Sequence, residues 1–273
     1  MGEVLETKSS RLLSDIRAVV HRPNVRKMFL PDPGYAIWEV DLKQADAQVV
    51  AWEANDIILM DLFTRAASDP TVDLHIENAR IIFGACNGKS DPRRQQAKQG
   101  VHAANYGSSA KTIAHHLGIT IRAAEHFLVK WFAAHPSIRQ WHKRVERDLF
   151  TTRSVANRFG FRRRYFDRVD GLLPEALAWI PQSTVALTID RGMLRIEKEC
   201  PESQILLQVH DSCVGQTPIE LFKTTEYRAK LKECFNNPIP YPRPLVIGVD
   251  IKWSTKSWGD CEKMEWDETL TIG

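Results

Sequence analysis

Two kinds of hydrophobic patterning divide this chain, and their order constrains the fold more than any other feature. β-forming runs lie towards both ends, whereas the stretch between about Ile57 and Leu172 is mostly helical in period. Near the start, YAIWEVD over 35–41 reads as a strand ending in an acid. Near the end, 205–209 and 213–216 read as short strands around His210-Asp211, which sets a second acid in a hairpin turn. A last strand is expected over 245–250. Helices are expected over 44–55, 59–67, 73–83, 92–106, 110–117, 121–134, 138–150 and 218–236, and a small hairpin from 154–157 and 162–166 around Phe159-Gly160. Residues 175–198 are long enough for a major helix, which Pro181 should kink or divide. Strands from both ends with a helical insert between them predict an α+β fold, an antiparallel sheet flanked by helices and carrying an inserted helical subdomain.

Within the helical stretch, DPRRQQAKQGVHAANYG (91–107) places Arg94, Lys98, His102 and Tyr106 four residues apart, one slowly drifting stripe on a helix. Pro92 suits the first turn, and Ser90 or Asp91 can cap it. Two cations near the positive end of a helix dipole gain nothing locally. They make sense if a polyanion docks there. An imidazole and a phenol further along suit stacking on a sugar or base. Phosphates at one end and flat rings at the other describe a nucleoside triphosphate site, against the plainer reading of a solvated basic face.

Asp41 follows a strand and Asp211 sits in a turn, so a shared sheet could bring them together. Two close carboxylates raise one another's proton affinity unless a cation lies between them. Mg²⁺ suits such a pair, because it takes a couple of carboxylates and fills its other positions with water and phosphate oxygens. Taken singly, each is as well explained as a turn or cap acid.

Composition narrows the remaining classes. An apolar content of 43% is ample for a core, and the net charge of +3 is too small to name a polyanionic partner. Local clusters, Arg93-Arg94 and Arg162-Arg163-Arg164, carry more weight. Five scattered cysteines without a C-x-x-C argue against a disulfide framework or a zinc site and fit a reducing cytoplasm. No run approaches the ~18 apolar residues of a membrane span, so no membrane partner is expected.

Three ordered blocks add a resemblance. V-D-L-K-Q-A-D-A-Q (40–48) resembles the first motif of family A (bacterial polymerase I-like) DNA polymerases, roughly D-Y-S-Q-I-E-L-R. R-x-x-x-K-x-x-x-H-x-x-x-Y-G (94–107) is similar to the second, on the fingers helix, and L-Q-V-H-D-S (207–212) to the third, usually Q-V-H-D-E. Smaller echoes are D-L-H at 73–75, F-G-F-R-R-R-Y at 159–165 and P-Q-S-T at 181–184. The resemblance runs from about Val25 to Trp258 and looks phage-like. It implies a palm over 25–55 and 174–273, fingers over 56–173, and an N-terminal extension over 1–24. It further implies primer–template DNA and dNTPs as partners, and Mg²⁺ as cofactor, two ions held by Asp41 and Asp211, with Mn²⁺ as a substitute. Arg94, Lys98 and His75 would bind the triphosphate, and Lys98 would donate a proton to pyrophosphate. His102, Tyr106, Gln44 and Asp46 would complete the nucleotide site. Gln182, His210, Gly107 and Arg163 would contact DNA.

Departures from the pattern are informative. Asp46 replaces the usual Glu that excludes a ribose 2′-hydroxyl. Lys43 replaces a small Ser, His102 a Phe or Tyr, and Ser212 the Glu after the third-motif Asp. An Arg and an Asn upstream of Gln182 fall on Pro174 and Ala178. Only about 25 residues precede the matching region, where the family carries a thumb and commonly an exonuclease domain. The expectation is a C-terminal catalytic fragment or split subunit, with room for a separate thumb or exonuclease polypeptide. A decayed, DNA-binding polymerase subunit is the alternative. A third reading takes 109–132 as the helix-turn-helix of a DNA-binding regulator, but it explains neither aspartate nor the stripe.

Overall fold

The computed structural model describes residues 23–270, so the expected extension over 1–24 lies almost wholly outside the described residues. After a single helical turn, α1 (Pro23–Arg26), comes β1 (Tyr35–Leu42). Seven helices follow: α2 (Ala45–Ala54), α3 (Ile57–Ser68), α4 (Leu74–Phe83), α5 (Pro92–Asn105), α6 (Ala110–Leu117), α7 (Ile121–Ala134) and α8 (Pro136–Thr152). A hairpin, β2 (Ser154–Ala156) and β3 (Arg162–Arg164), leads to the long α9 (Leu173–Glu199). The chain finishes with β4 (Gln204–Val209), β5 (Ser212–Pro218), α10 (Ile219–Phe222), α11 (Thr225–Cys234), β6 (Val249–Ser254), a 3₁₀ turn (Trp258–Asp260) and β7 (Glu262–Met264). The fold is α+β, as the pattern predicts.

The described chain packs as two compact units. One holds residues up to Lys43, Ile189–Asn237 and the residues from Gly248 onward; the other holds Gln44–Thr188 and Pro238–Ile247. These packing units divide the chain at different positions from the motif-based subdomains. In the first unit, five antiparallel strands run in the order β4-β5-β1-β6-β7. β1 is central, which accounts for its nearly continuous apolar sequence. Trp38 lies fully buried on β1 and donates its indole N–H to Thr217 Oγ1, 2.9 Å away. Gly215 on β5 makes room for that ring, since a Cβ there would stand 2.3 Å from it.

In the second unit, five successive helices begin on a polar cap. Asp56, Asp73, Asp91, Ser109 and Thr120 accept from amides of the first turns of α3 to α7. Phe127, Trp131 and Trp141 form the buried aromatic centre, as packing residues. Gly100 lets α5 approach Phe127, because a Cβ would lie 2.5 Å from the ring.

Three local expectations need correction. α9 is not divided at Pro181; the hydroxyls of Ser183 and Thr184 hydrogen-bond the Ile180 carbonyl beside the proline. The expected helix over 218–236 is two helices, because Thr224 caps a fresh start by accepting from the Tyr227 amide. The strand expected last is followed by a further one, β7, and spans Val249–Ser254 instead of 245–250. Its half-exposed Asp250 and Lys252 hide its strand character, while Leu245 forms only an isolated bridge with Ile239.

Candidate active site

In the sheet unit, Asp41 occupies the C-terminal end of the central strand. Its cross-strand neighbours are Ser212 on β5 and Asp250 on β6. β4 and β5 meet in a two-residue turn, His210-Asp211, with exposed His210 in the left-handed region at φ 55°. The Leu42 amide donates to the Asp211 carbonyl at 2.9 Å, fixing the turn against the end of β1. The two aspartates of the sequence analysis therefore belong to adjacent strand ends of one sheet. Burial and then the Asp211 charge push the Asp41 carboxyl up to about 6, with Glu39 and Asp250 adding to the rise and Lys252 opposing it.

Asp250 is an acid that sequence reasoning missed; its one signal was a carboxylate inside an apolar strand. Its charge is matched by Lys43 Nζ at 2.9 Å and Lys263 Nζ at 3.4 Å. Lys43, the unusual cation of the first motif, is thus engaged with Asp250. Ser212 is buried and donates to the Val209 carbonyl at 2.8 Å, so its hydroxyl closes the turn. No group of three or more His, Cys, Asp or Glu suited to a metal occurs among the described residues. Two mutually repelling carboxylates are the donor set, and that set fits Mg²⁺, which draws its remaining ligands from water and phosphate.

In the helical unit, α5 starts on Asp91, whose side chain accepts from the Arg93 amide at 3.0 Å and binds the Arg93 guanidinium. Ser90 is not the cap. Arg94 is held by Asp73: Nε lies 3.0 Å and Nη2 2.8 Å from Oδ2. Asp73 also caps α4 through the His75 and Ile76 amides, so one carboxylate organises both elements. Burial, then the charges of Arg94 and Lys98, lower the His75 imidazole to about 4, against the opposing pull of Asp73. His75 is therefore neutral at neutral pH. Lys98 is exposed one turn after Arg94.

The ring half of the stripe is also assembled. His102 and Tyr106 pack edge to face with centroids 4.6 Å apart. The Tyr106 hydroxyl donates to Asp46 Oδ2 at 2.8 Å, and burial followed by the Asp46 charge raises its pKa, so the phenol keeps its proton. α5 ends at Asn105, with Tyr106 as its C-cap. Gly107 then takes φ 72°, and a Cβ on it would meet Leu177 at 3.0 Å, so the glycine is required by the turn itself. Beside these rings a cleft of about 350 Å³ is lined by Gln99, His102, Tyr106, Ser108, Ile113 and His116. Gln44 is exposed at the N-cap of α2 in the left-handed region, and Gln182 is exposed on α9. Arg163 is turned towards Glu175, with which it forms an ion pair, and over the Tyr165 ring. His135 is buried against Asp56 (Nδ1 to Oδ1, 3.1 Å), a structural role.

An antiparallel sheet with acids at a strand end, combined with a helical insertion bearing a basic–aromatic helix, is the architecture of a polymerase domain. The chain belongs to DNA polymerase family A, whose sequence model matches residues 14–260. It is 29% identical over 238 residues to a thermostable DNA polymerase I of Thermus filiformis, covering 83% of this chain and 28% of that protein. It is 27% identical over 235 residues to a DNA polymerase of Mycobacterium phage D29, covering 86% and 37%. Among solved structures it resembles the POL domain of Pol1 from M. smegmatis, a complex with DNA primer-template and dNTP, at a TM-score of 0.74 and 22% identity, covering 87% of this chain and 42% of that one. The chain thus spans between a quarter and two fifths of the length of these two sequence relatives. No helix among the described residues is long and apolar enough to cross a membrane.

Proposed function

We propose that this chain is the catalytic portion of a template-directed DNA polymerase, adding dNMP units from dNTPs to the 3′ end of a primer in an intracellular, cytoplasmic setting. In this reading residues 25–55 and 174–273 serve as palm and 56–173 as fingers. The observation that carries the proposal is the pair Asp41 and Asp211 at adjacent strand ends: burial first, and then the Asp211 charge, raise the Asp41 carboxyl to about 6, a strain that a cation would relieve. Asp41 and Asp211 would hold two Mg²⁺ ions, or Mn²⁺ in their place. When bound, such ions activate a hydroxyl nucleophile and stabilise a phosphate leaving group.

The chain's own residues supply the positioning. Arg94, preset by Asp73, and Lys98 grip the triphosphate, and neutral His75 offers a ring N–H without adding charge. As the primer O3′ bonds to the α-phosphorus and the bond to the β-phosphate bridge breaks, Lys98 Nζ donates a proton to the departing pyrophosphate. Asp46, held by Tyr106, crowds the sugar edge where a 2′-hydroxyl would fall, with Gln44 beside it. His102 stacks on the nucleotide. Gln182, His210, Arg163 and the Gly107 turn meet the primer–template.

The test is primer extension with dNTPs and Mg²⁺, comparing the parent with Asp211→Ala and Lys98→Ala. The parent should extend, Asp211→Ala should not, and Lys98→Ala should be slowed at least a hundredfold, the scale of a positioned proton donor. No incorporation by the parent at low salt with excess DNA sinks autonomous catalysis. Extension that appears only with an added thumb polypeptide assigns the duplex grip to a second chain. One observation favours a second reading, a polymerase-fold DNA-binding subunit: Ser212 offers no outer carboxylate. DNA binding without incorporation under any of these conditions would support it.

A further inference from the structure

Residues 158–168, RFGFRRRYFDR, hold five arginines and one acid around exposed aromatic rings. Phe161 is 58% exposed and Phe166 is 87% exposed, although both are large apolar side chains on a polar surface. Arg162 and Arg164 alternate with Arg163 along β3, so they share the face opposite the Arg163–Glu175 pair. Both are exposed; Arg162 donates only to the Ser154 hydroxyl, at 3.0 Å, and the Arg164 side chain makes no ion pair or hydrogen bond among the described residues. The loop presenting Phe161 is fixed in place. Asn157 Oδ1 accepts from the Phe159 and Phe161 amides at 3.1 and 3.0 Å, and Asn157 Nδ2 donates to Ser183 Oγ on α9 at 3.1 Å. One face of Phe161 stacks on Trp179, with centroids 6.2 Å apart and an interplanar angle of 24°. The other side of the ring is the exposed one.

A rigid, supported aromatic ring flanked by exposed guanidinium groups that no carboxylate among the described residues neutralises matches what unpaired nucleic acid recognises: π-faces for bases and cations for phosphates. A base-paired duplex hides its base faces and would use only the cations. We propose that the Phe161–Trp179 ledge, with Arg162, Arg164 and Phe166, is a binding site for single-stranded DNA, and that it holds the unpaired template strand. The second half of this inference rests on the polymerase reading; the single-strand site itself does not. The charge is complementary, and Pro174 and Ala178 on the neighbouring helix leave an apolar start where other contacts to DNA would be absent.

The experiment is fluorescence anisotropy of the full chain with a labelled oligothymidylate and, separately, a blunt duplex, in buffer without metal or nucleotide. Loss of one stacked base costs about fivefold to a hundredfold in affinity, so Phe161→Ala should weaken oligothymidylate binding by that factor and leave blunt-duplex binding within about twofold. Phe161→Trp should restore it. Phe166→Ala should also weaken it, and because that ring has no packing role its folding is secure. The double variant R162Q/R164Q should lower the salt slope by about 1.4, two phosphates at ~0.7 each. Unchanged oligothymidylate binding in both phenylalanine variants, or equal loss on blunt duplex, overturns the site. The binding measurement needs no metal, nucleotide or turnover, so failure of extension and failure of the ledge are separate results. If the site stands and the parent extends, Phe161→Ala should raise the KM for an overhanging template and leave that for dNTP unchanged; the reverse split overturns the template assignment.

Discussion

Asp73→Asn isolates what a carboxylate does for the triphosphate grip. Asp73 performs two tasks with two oxygens. Oδ1 caps α4 by accepting from His75 and Ile76, and Oδ2 carries the shorter contacts to the Arg94 guanidinium. Asn caps a helix as well as Asp, so the first task survives. The amide nitrogen that replaces Oδ2 faces guanidinium donors, and the second task fails. Hydrogen bonds to charged groups contribute about 1.5–3 kcal/mol. Arg94 is a quarter exposed and regains water when released, so the expected loss of stability is about 1–2 kcal/mol. Asp73→Ala, which also loses the cap, should cost about 1 kcal/mol more. A released arginine must be ordered again by the nucleotide, at about 0.5–1.5 kcal/mol for such a side chain. The KM for dNTP in steady-state primer extension should therefore rise about 2- to 12-fold, with kcat within about threefold. A fall in KM would show that Asp73 competes with the triphosphate instead of presetting Arg94 for it, and would refute this reasoning.

Asp211→Asn removes the charge that, after burial, does most to raise Asp41. The native state keeps the Asp41 proton to about pH 6, so metal-free stability declines as pH rises from about 4 to 6. The variant should flatten that decline and melt higher than the parent at pH 7 in EDTA, while losing Mg²⁺ stabilisation and extension. His75 has the opposite sign. Its pKa of about 4 lies below its ordinary 6.5, so its contribution to stability is complete above pH 6.5 and is lost as pH falls towards 4; His75→Asn should flatten that slope in thermal melts. Gly100→Ala places a Cβ 2.5 Å from the Phe127 ring. Overpacking of ~1–3 kcal/mol works against a helix-propensity gain of ~1, so a net loss of up to about 2 kcal/mol is expected by denaturant titration, relieved in a Phe127→Leu background. His102→Phe should change selectivity among sugar-modified nucleotide analogues in competitive extension, and unchanged selectivity removes His102 from the sugar contact.

What was legible in the sequence was local. The stripe Arg94–Tyr106 follows from a period of four, and the cap Asp91 from an acid placed just before Pro92. The α+β order follows from where period two gives way to period 3.6. Long-range partners were not legible. Asp73 and Arg94 are 21 residues apart and Asp46 and Tyr106 are 60 apart, and no periodicity links them. β6 was displaced in the reading because a strand beside the carboxylates carries Asp250 and Lys252, charges placed there by the site instead of by the pleat.

That displacement points to how charge is distributed around Asp41. Glu39 and Asp41 alternate on one face of β1, opposite Lys252 and Asp250 on β6. The two acids that flank Asp41 in this pairing have cations: Glu39 has Arg26 and Lys252, and Asp250 has Lys43 and Lys263. Asp41 answers its neighbours with a raised proton affinity. Lys43 is the pivotal departure from the family pattern. With Lys263 it offsets the Asp250 charge, which lessens but does not remove the push of a third carboxylate on Asp41, on an edge where Ser212 stands in place of the family's acid. The local charge left for cations to balance is then that of Asp41 and Asp211, a pair of the size Mg²⁺ usually takes from a protein.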